Sequence, residues 1–308
     1  MKLSIIIPIY NESAIIPELH ERLSKVSDSL TNGEYELIFV NDGSVDASLA
    51  ILKAISELDQ HVKYISFSRN FGHQPAVMSG LDVCKGKRVV IIDGDLQDPP
   101  ELIVELWNKM DEGYKVVYAQ RKSRAGESWF KKVTAKLFYR ILQNITSVKI
   151  PLDTGDFRMM DEVLVRVLKN MPERNKYIRG QVAWAGFKQT FVLYDRQERV
   201  AGSSNYPLSK MLKFALDGIT SFSSFPLKLA TFFGFMVSIG AFVVIIYALF
   251  SKYVWHNAVP GWTSLMVATM FVGGIQLISL GVIGEYLGRM NDDIKQRPLY
   301  LIEESNLS

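Results

Sequence analysis

In VVIIDGDLQDPP, residues 89–100, four apolar residues run directly into three carboxylates. Val89 to Ile92 reads as a strand buried on both faces, because an unbroken apolar run has no polar side to leave in water. Ligands of open α/β sheets bind beyond the carboxyl ends of the strands, so Asp93 and Asp95 are predicted to lie within reach of one. If the chain stays extended there, both side chains share one side, and the amide of Gln97 continues the row. Two carboxylates and a carbonyl oxygen suit a hard divalent cation, Mg2+ (or Mn2+), which keeps waters and shares its other positions with phosphate oxygens. A nucleotide diphosphate is the natural partner. The competing reading is a turn capping a helix that starts near Glu101 behind Pro99 and Pro100, and this stretch alone leaves it open.

Upstream, the pattern alternates. Strands are predicted at 3–10, 35–40 and 62–67, and helices at 14–30, 46–58 and 74–84, a βαβ series that implies a largely parallel sheet covered on both faces. Every strand ends in a polar cluster: Tyr10 with Glu12, Asp42 with Ser44, Ser68 to Asn70, and Asp93 to Asp98. These clusters are expected to line one edge. Position 8–12 reads Pro-Ile-Tyr-Asn-Glu where a dinucleotide fold would show G-x-G-x-x-G, and there is no Walker loop, so the remaining reading is a nucleotide site made of acids and an aromatic. Tyr10 can cover a base, Asp42 can accept from a base N–H, and Glu12 can accept from a ribose hydroxyl.

The 308 residues allow one large domain or two, and the net charge of +3 suggests no nucleic-acid partner. A lone cysteine, Cys84, excludes an internal disulfide and reads as packing. From Leu229 to Ser251 and from Trp262 to Gly284 no residue is charged, and each run is long enough to cross a bilayer as a helix. Lys210, Lys213 and Lys228 flank the first run, and Arg289, Lys295 and Arg297 follow the second. The positive-inside bias therefore predicts two spans, with the first domain and both termini in the cytoplasm at the plasma (inner) membrane. Leu208, Met211, Leu212, Ala215, Leu216, Ile219 and Phe222 recur at helical spacing, which predicts an amphipathic helix on the membrane surface ahead of the first span.

Taken together, PIYNE at 8–12, VNDGS at 40–44, DGDLQDPPE at 93–101 and DTGDFRMM at 153–160 resemble family 2 glycosyltransferases with the GT-A fold. Within that family they look like the polyprenyl-phosphate enzymes, the bactoprenol glucosyltransferases and dolichyl-phosphate mannosyltransferases. The resemblance covers nearly the whole chain. It implies an α/β, GT-A (Rossmann-like) domain over 1–200, a loop and juxtamembrane helix over 201–226, two transmembrane helices over 227–288 and a cytoplasmic tail over 289–308. By the same resemblance Pro8, Tyr10, Glu12 and Asp42 contact the nucleotide, while Asp93, Asp95 and Gln97 hold the metal and diphosphate. Asp156 is the acid beside the acceptor, and the resemblance implies a homo-oligomer, with a tetramer as its expected form. The implied reaction moves a hexose, best taken as glucose from UDP-glucose, onto undecaprenyl or another polyprenyl phosphate with inversion.

Three further segments bear on this. Residues 121–140 carry seven Lys or Arg and one acid, a surface for anionic headgroups or a lipid phosphate, with Arg121 and Arg124 as candidates for the diphosphate. Asp153 to Arg158 shows no strand pattern before it, and 177–193 reads as the last strands of the domain. Arg199 and Ser203 lie in a polar loop that could close over the diphosphate, although Ser203 and Asn205 replace the Glu and Lys that related enzymes often carry. A processive polysaccharide synthase shares the first domain, but its Q-x-x-R-W motif is not met by Gln181-Val182-Ala183-Trp184, and a non-catalytic membrane scaffold is the remaining alternative.

Overall fold

The computed structural model describes residues 1–122, 154–195, 225–254 and 261–307. The chain begins β1 (Leu3–Ile9), α1 (Ile16–Thr31), β2 (Tyr35–Asn41), α2 (Ser48–Leu58), β3 (Val62–Phe67), α3 (His73–Val83) and β4 (Arg88–Ile91). These are the predicted elements, shifted by at most two residues at their ends. A 3-10 turn at Pro100–Leu102 then leads into α4 (Ile103–Asp111) and β5 (Val116–Arg121). After the basic segment come β6 (Thr154–Asp161), α5 (Glu162–Lys169), α6 (Ile178–Trp184) and β7 (Gln189–Tyr194).

One eight-stranded sheet, in the order β7-β5-β6-β4-β1-β2-β3 with an eighth strand beyond β3, carries the fold. Strands β1 to β4 pair in parallel, and β5 pairs in parallel with β7. Strand β6 runs antiparallel between β4 and β5. Period-two alternation along β1 sends Leu3, Ile5, Ile7 and Ile9 to the layer of α1, α2 and α4, and Ile6 to the layer of α3, α5 and α6. Each of these side chains is essentially inaccessible, and burying one contributes about 1.5–3 kcal/mol.

Two expectations are corrected here. Residues 154–161 form a strand, although the sequence shows no strand pattern leading into Asp153 to Arg158. Residues 177–193 are not all strand, because Ile178–Trp184 is a helix whose Ile178 and Val182 pack against Val165 and Leu168 of α5 in one core cluster. Short apolar runs do not distinguish helix from strand, and tertiary packing chose.

The C-terminal part is a helix pair. Helix α7 (Phe225–Tyr253) packs against α8 (Trp262–Lys295), and large apolar side chains stand exposed along both, including Phe235, Phe242, Met270, Leu277 and Ile278. Among the described residues one stretch, Ala268–Lys295, is long and apolar enough to cross a membrane, and Phe225–Val237 is a shorter apolar helix. The expected juxtamembrane helix lies outside the described residues. Nor is 289–308 a simple tail. Helix α8 continues to Lys295, and the chain returns to the sheet as β8 (Ile302–Ser305), antiparallel to β3. Tyr300 stacks on Phe67 with ring centroids 5.0 Å apart and donates to Asp82, while Lys53 pairs with Glu304 at 2.6 Å. Strand β8 covers an edge that would otherwise offer unpaired N–H and C=O groups to another chain.

The loop after β2 has no room for a side chain at Gly43. Its φ is +66°, and a Cβ there would lie 2.4 Å from the Arg69 carbonyl carbon in the loop before α3. Gly43→Ala is therefore expected to cost about 2–4 kcal/mol, from left-handed strain plus the backbone clash. Thermal unfolding in detergent measures it, and an unchanged midpoint would show that this loop is not packed as described.

Candidate active site

Strand β4 delivers its acids to the sheet edge by a turn rather than by staying extended. The strand ends at Ile91, Leu96 is buried with φ +54°, and the Gln97 N–H donates to Asp95 Oδ1 at 3.2 Å. The expected common row of Asp93, Asp95 and Gln97 along an extended chain is thus not formed. Instead the loop presses onto the end of β1, where a Cβ on Gly94 would meet Ile9 Cδ1 at 2.5 Å and the Pro8 carbonyl at 2.9 Å. That contact sets the loop that bears the acids against Pro8 and Ile9 at the end of β1. Asp95 is 9 % exposed.

The nucleotide candidates occupy the ends of β1 and β2. Pro8 and Glu12 are half-buried and Tyr10 is exposed. The Glu12 N–H donates to Ser48 Oγ at 3.1 Å and the Asn11 N–H to Ser44 Oγ at 2.9 Å, so the loops after β1 and β2 form one surface. Asp42 is buried and accepts from the N–H groups of Phe71, at 2.7 Å, and Gly72, at 2.9 Å. Its carboxylate therefore holds the loop that opens α3, whatever else it contacts. Burial raises its pKa, opposed by those two backbone hydrogen bonds.

Asp156 reaches the same edge because β6 is reversed. Running antiparallel to β4 and β5, the strand begins where they end, with Ile91 opposite Arg158 and Gln120 opposite Thr154. Around the Asp156 carboxylate stand Arg179 Nε at 2.8 Å and Nη2 at 3.2 Å, His73 Nε2 at 3.0 Å, and Arg158 Nη2 at 3.6 Å. Arg158 is fully buried and also donates to the Gly155 and Asp156 carbonyls. Burial favours the neutral acid, yet the Arg179 and His73 charges win and hold Asp156 well below the usual carboxylate range. Burial works against the His73 charge, but the Asp156 hydrogen bond and the Asp93 and Asp156 charges push it up to about 9. His73 Nε2 is also 3.7 Å from Asp93 Oδ1, which joins this cluster to the β4 acids. Burial, reinforced by Asp156, Asp98 and Asp95 and opposed by His73, pushes Asp93 up to about 6.

Arg121, at the end of β5, donates from Nε to the Tyr194 hydroxyl at 3.4 Å, and Tyr194 in turn donates to Asp98. Arg124, Asp153, Arg199 and Ser203 lie outside the described residues. The structure adds His73, Gln74, Arg158 and Arg179, which the sequence reading did not single out. His73 follows a polar cluster that was read as edge-lining, so its place was marked though its role was not. Arg179 had no such signal, because its segment was read as strand.

The donor set fits a hard cation. Burial first, and then the neighbouring carboxylates of Asp156, Asp98 and Asp95, make Asp93 hard to ionise against the opposing His73 charge, and Asp95 sits two residues away. Among the described residues no three His, Cys, Asp or Glu side chains close a metal cage. Two carboxylates with open positions match an ion that shares its shell with phosphate and water.

Residues 4–168 match the sequence pattern described as glycosyl transferase family 2. The chain is similar to an uncharacterized glycosyltransferase of Bacillus subtilis (strain 168), with 51 % identity covering 98 % of this chain and 93 % of the relative. It is also similar to a prophage bactoprenol glucosyl transferase homolog of Escherichia coli (strain K12), 41 % identical over 98 % of this chain and 99 % of the other. A bactoprenol glucosyl transferase of Shigella phage SfII is 40 % identical, covering 99 % of each.

Proposed function

The chain belongs to glycosyl transferase family 2, and from that membership we propose that it moves one glucose from UDP-glucose to undecaprenyl or another polyprenyl phosphate at the cytoplasmic face of a membrane. The observation that carries this reading is the cluster of Asp93, His73, Asp156 and Arg179, joined by ion pairs at one edge of a GT-A-like mixed sheet, with Asp95 close enough to act on Asp93. Full-length relatives named as bactoprenol glucosyl transferases support the sugar and the lipid.

In this reading Tyr10 covers the base, Asp42 and Glu12 contact the nucleoside, and Asp93, Asp95 and Gln97 hold Mg2+ or Mn2+ with the diphosphate. A bound divalent cation supplies charge stabilisation to the leaving diphosphate. Arg121, Arg124, Arg199 and Ser203 complete the diphosphate contacts. A phosphate oxygen of the acceptor forms the new bond to the anomeric carbon as the bond to the donor's β-phosphate oxygen breaks on the opposite face, which inverts the centre. The acceptor phosphate is already largely ionised at neutral pH, so no base is needed to create the nucleophile.

In this reading α7 and α8 cross the membrane as a pair. The return of the chain to the sheet at β8 is in keeping with an even number of crossings, and the exposed apolar side chains along both helices support a two-span hairpin. The same surfaces suit packing between copies, in keeping with a homo-oligomer.

Incubating the purified protein with polyprenyl phosphate and a panel of nucleotide sugars, followed by mass spectrometry of the lipid, tests the proposal. One hexose per lipid, from UDP-glucose ahead of the others, is expected. A polymer, or no lipid product from any donor, would overturn it.

A further inference from the structure

The chain that leaves α8 comes back to the side of the sheet that carries Asp42. Helix α8 ends at Lys295, and the turn after it is pinned to the domain, because the Arg174 N–H donates to Asp293 Oδ1 at 2.9 Å and Arg174 Nη2 donates to the Pro298 carbonyl at 3.2 Å. The Tyr300 ring then lies over Phe67 with centroids 5.0 Å apart and planes 13° apart. Next to it the Leu301 carbonyl accepts from the Ser68 N–H at 3.1 Å. These two contacts fall on the last residue of β3 and the first residue of the loop that follows it.

That loop, residues 68–72, is what holds Asp42. Phe67 is buried and meets Phe71 edge-on, with centroids 5.7 Å apart. The Phe71 and Gly72 N–H groups then donate to the Asp42 carboxylate at 2.7 and 2.9 Å. Three rings, Tyr300, Phe67 and Phe71, thus run in succession from the returning chain to the acid. Aromatic pairs of this kind fix the relative placement of their rings as well as burying them, so a change at Tyr300 reaches the Phe71 backbone. A carboxylate offers about four acceptor positions, and two N–H groups leave capacity for a nucleoside donor. Burial works against the Asp42 charge and the same two N–H groups oppose it, so a displaced loop leaves an acid both harder to ionise and differently aimed.

We propose that Tyr300 is a positioning residue for the donor nucleoside, acting through Phe67 and Phe71 on the loop that holds Asp42, so that the segment after the membrane helices completes the nucleotide site. This rests on the contact between Asp42 and the nucleoside in the function proposed above. The Tyr300 hydroxyl donates to Asp82 on α3 at 2.8 Å, and the effect on Asp42 is carried by the ring.

The test uses the full chain in detergent with Mn2+, and reads UDP affinity by calorimetry beside the steady-state constants for UDP-glucose and farnesyl phosphate. Tyr300→Leu keeps apolar bulk without the ring and is expected to weaken UDP binding, and raise the donor KM, by about three- to tenfold, the worth of one aromatic pair. The acceptor KM and kcat should stay within about twofold. Tyr300→Phe keeps the ring and is expected to bind UDP as the wild type does. Glu304→Gln breaks the Lys53 ion pair farther along β8, and it should leave UDP affinity unchanged. UDP affinity that Tyr300→Leu does not move, that Tyr300→Phe lowers equally, or that Glu304→Gln lowers as much, overturns the assignment. If the Leu variant does not fold, Phe71→Leu cuts the same relay nearer to Asp42 and decides by the same readings. A wild-type protein that binds no UDP sinks the proposed function instead, and hydrogen exchange of the Phe71 and Gly72 N–H groups, expected to be faster in Tyr300→Leu, then still decides whether Tyr300 holds this loop.

Discussion

Asp95→Asn is expected to lower sugar transfer by about 10^2- to 10^3-fold, the usual loss when charge stabilisation of a leaving group is removed. The substitution is nearly isosteric, and the Asn oxygen can still accept from the Gln97 N–H, so the turn behind β4 is kept. What changes is the charge offered to a cation. Binding of Mn2+, followed by its paramagnetic signal, should weaken together with activity, while extraction from the membrane and thermal unfolding stay as in the wild type. Full transfer by this variant would remove Asp95 from the metal set.

Asp156→Ala is expected to reduce stability by about 3–5 kcal/mol, because it leaves the buried Arg158 and the half-buried Arg179 without their shared carboxylate. Asp156→Asn keeps two hydrogen-bonding atoms and should cost less. The comparison separates loss of charge from loss of contact, and equal unfolding midpoints for the two would contradict the burial described here. A pH signature accompanies it. His73 has a folded-state pKa of about 9, above its ordinary 6.5, so its ion pair stabilises fully below about pH 6.5 and fades as pH rises toward 9. Asp156 is shifted the other way, and its contribution holds at neutral pH and disappears only in strong acid. In the Asn variant the alkaline slope between pH 6.5 and 9 should flatten, and a slope as steep as the wild type's would place the titration elsewhere.

Much of the site was legible because half of it is local. Asp93 and Asp95 follow an apolar strand directly, and Tyr10, Glu12 and Asp42 follow two others, so strand reading and edge reading together place them. The other half was not legible. Strand β6 is interrupted by Arg158, whose burial makes sense only beside Asp156, so its polar sequence hid an interior strand. Helix α6 has seven residues, too few for a helical period to show. Strand β8, Ile-Glu-Glu-Ser, has almost no apolar signal, and its pairing with β3 is secured instead by side chains such as Tyr300 and Asn306.

From the sequence by itself came the βαβ ladder, the acids at its strand tips and two long uncharged runs. Each is a pattern of neighbouring residues, and burial imposes such patterns on any chain that folds this way. The tertiary structure alone decided that β6 runs against β4 and β5, which turns Asp156 toward the edge where they end. It alone brought His73 and Arg179, 83 and 23 positions away, onto that carboxylate. Ion pairs across such separations depend on how helices pack on a sheet, and no local spacing encodes them.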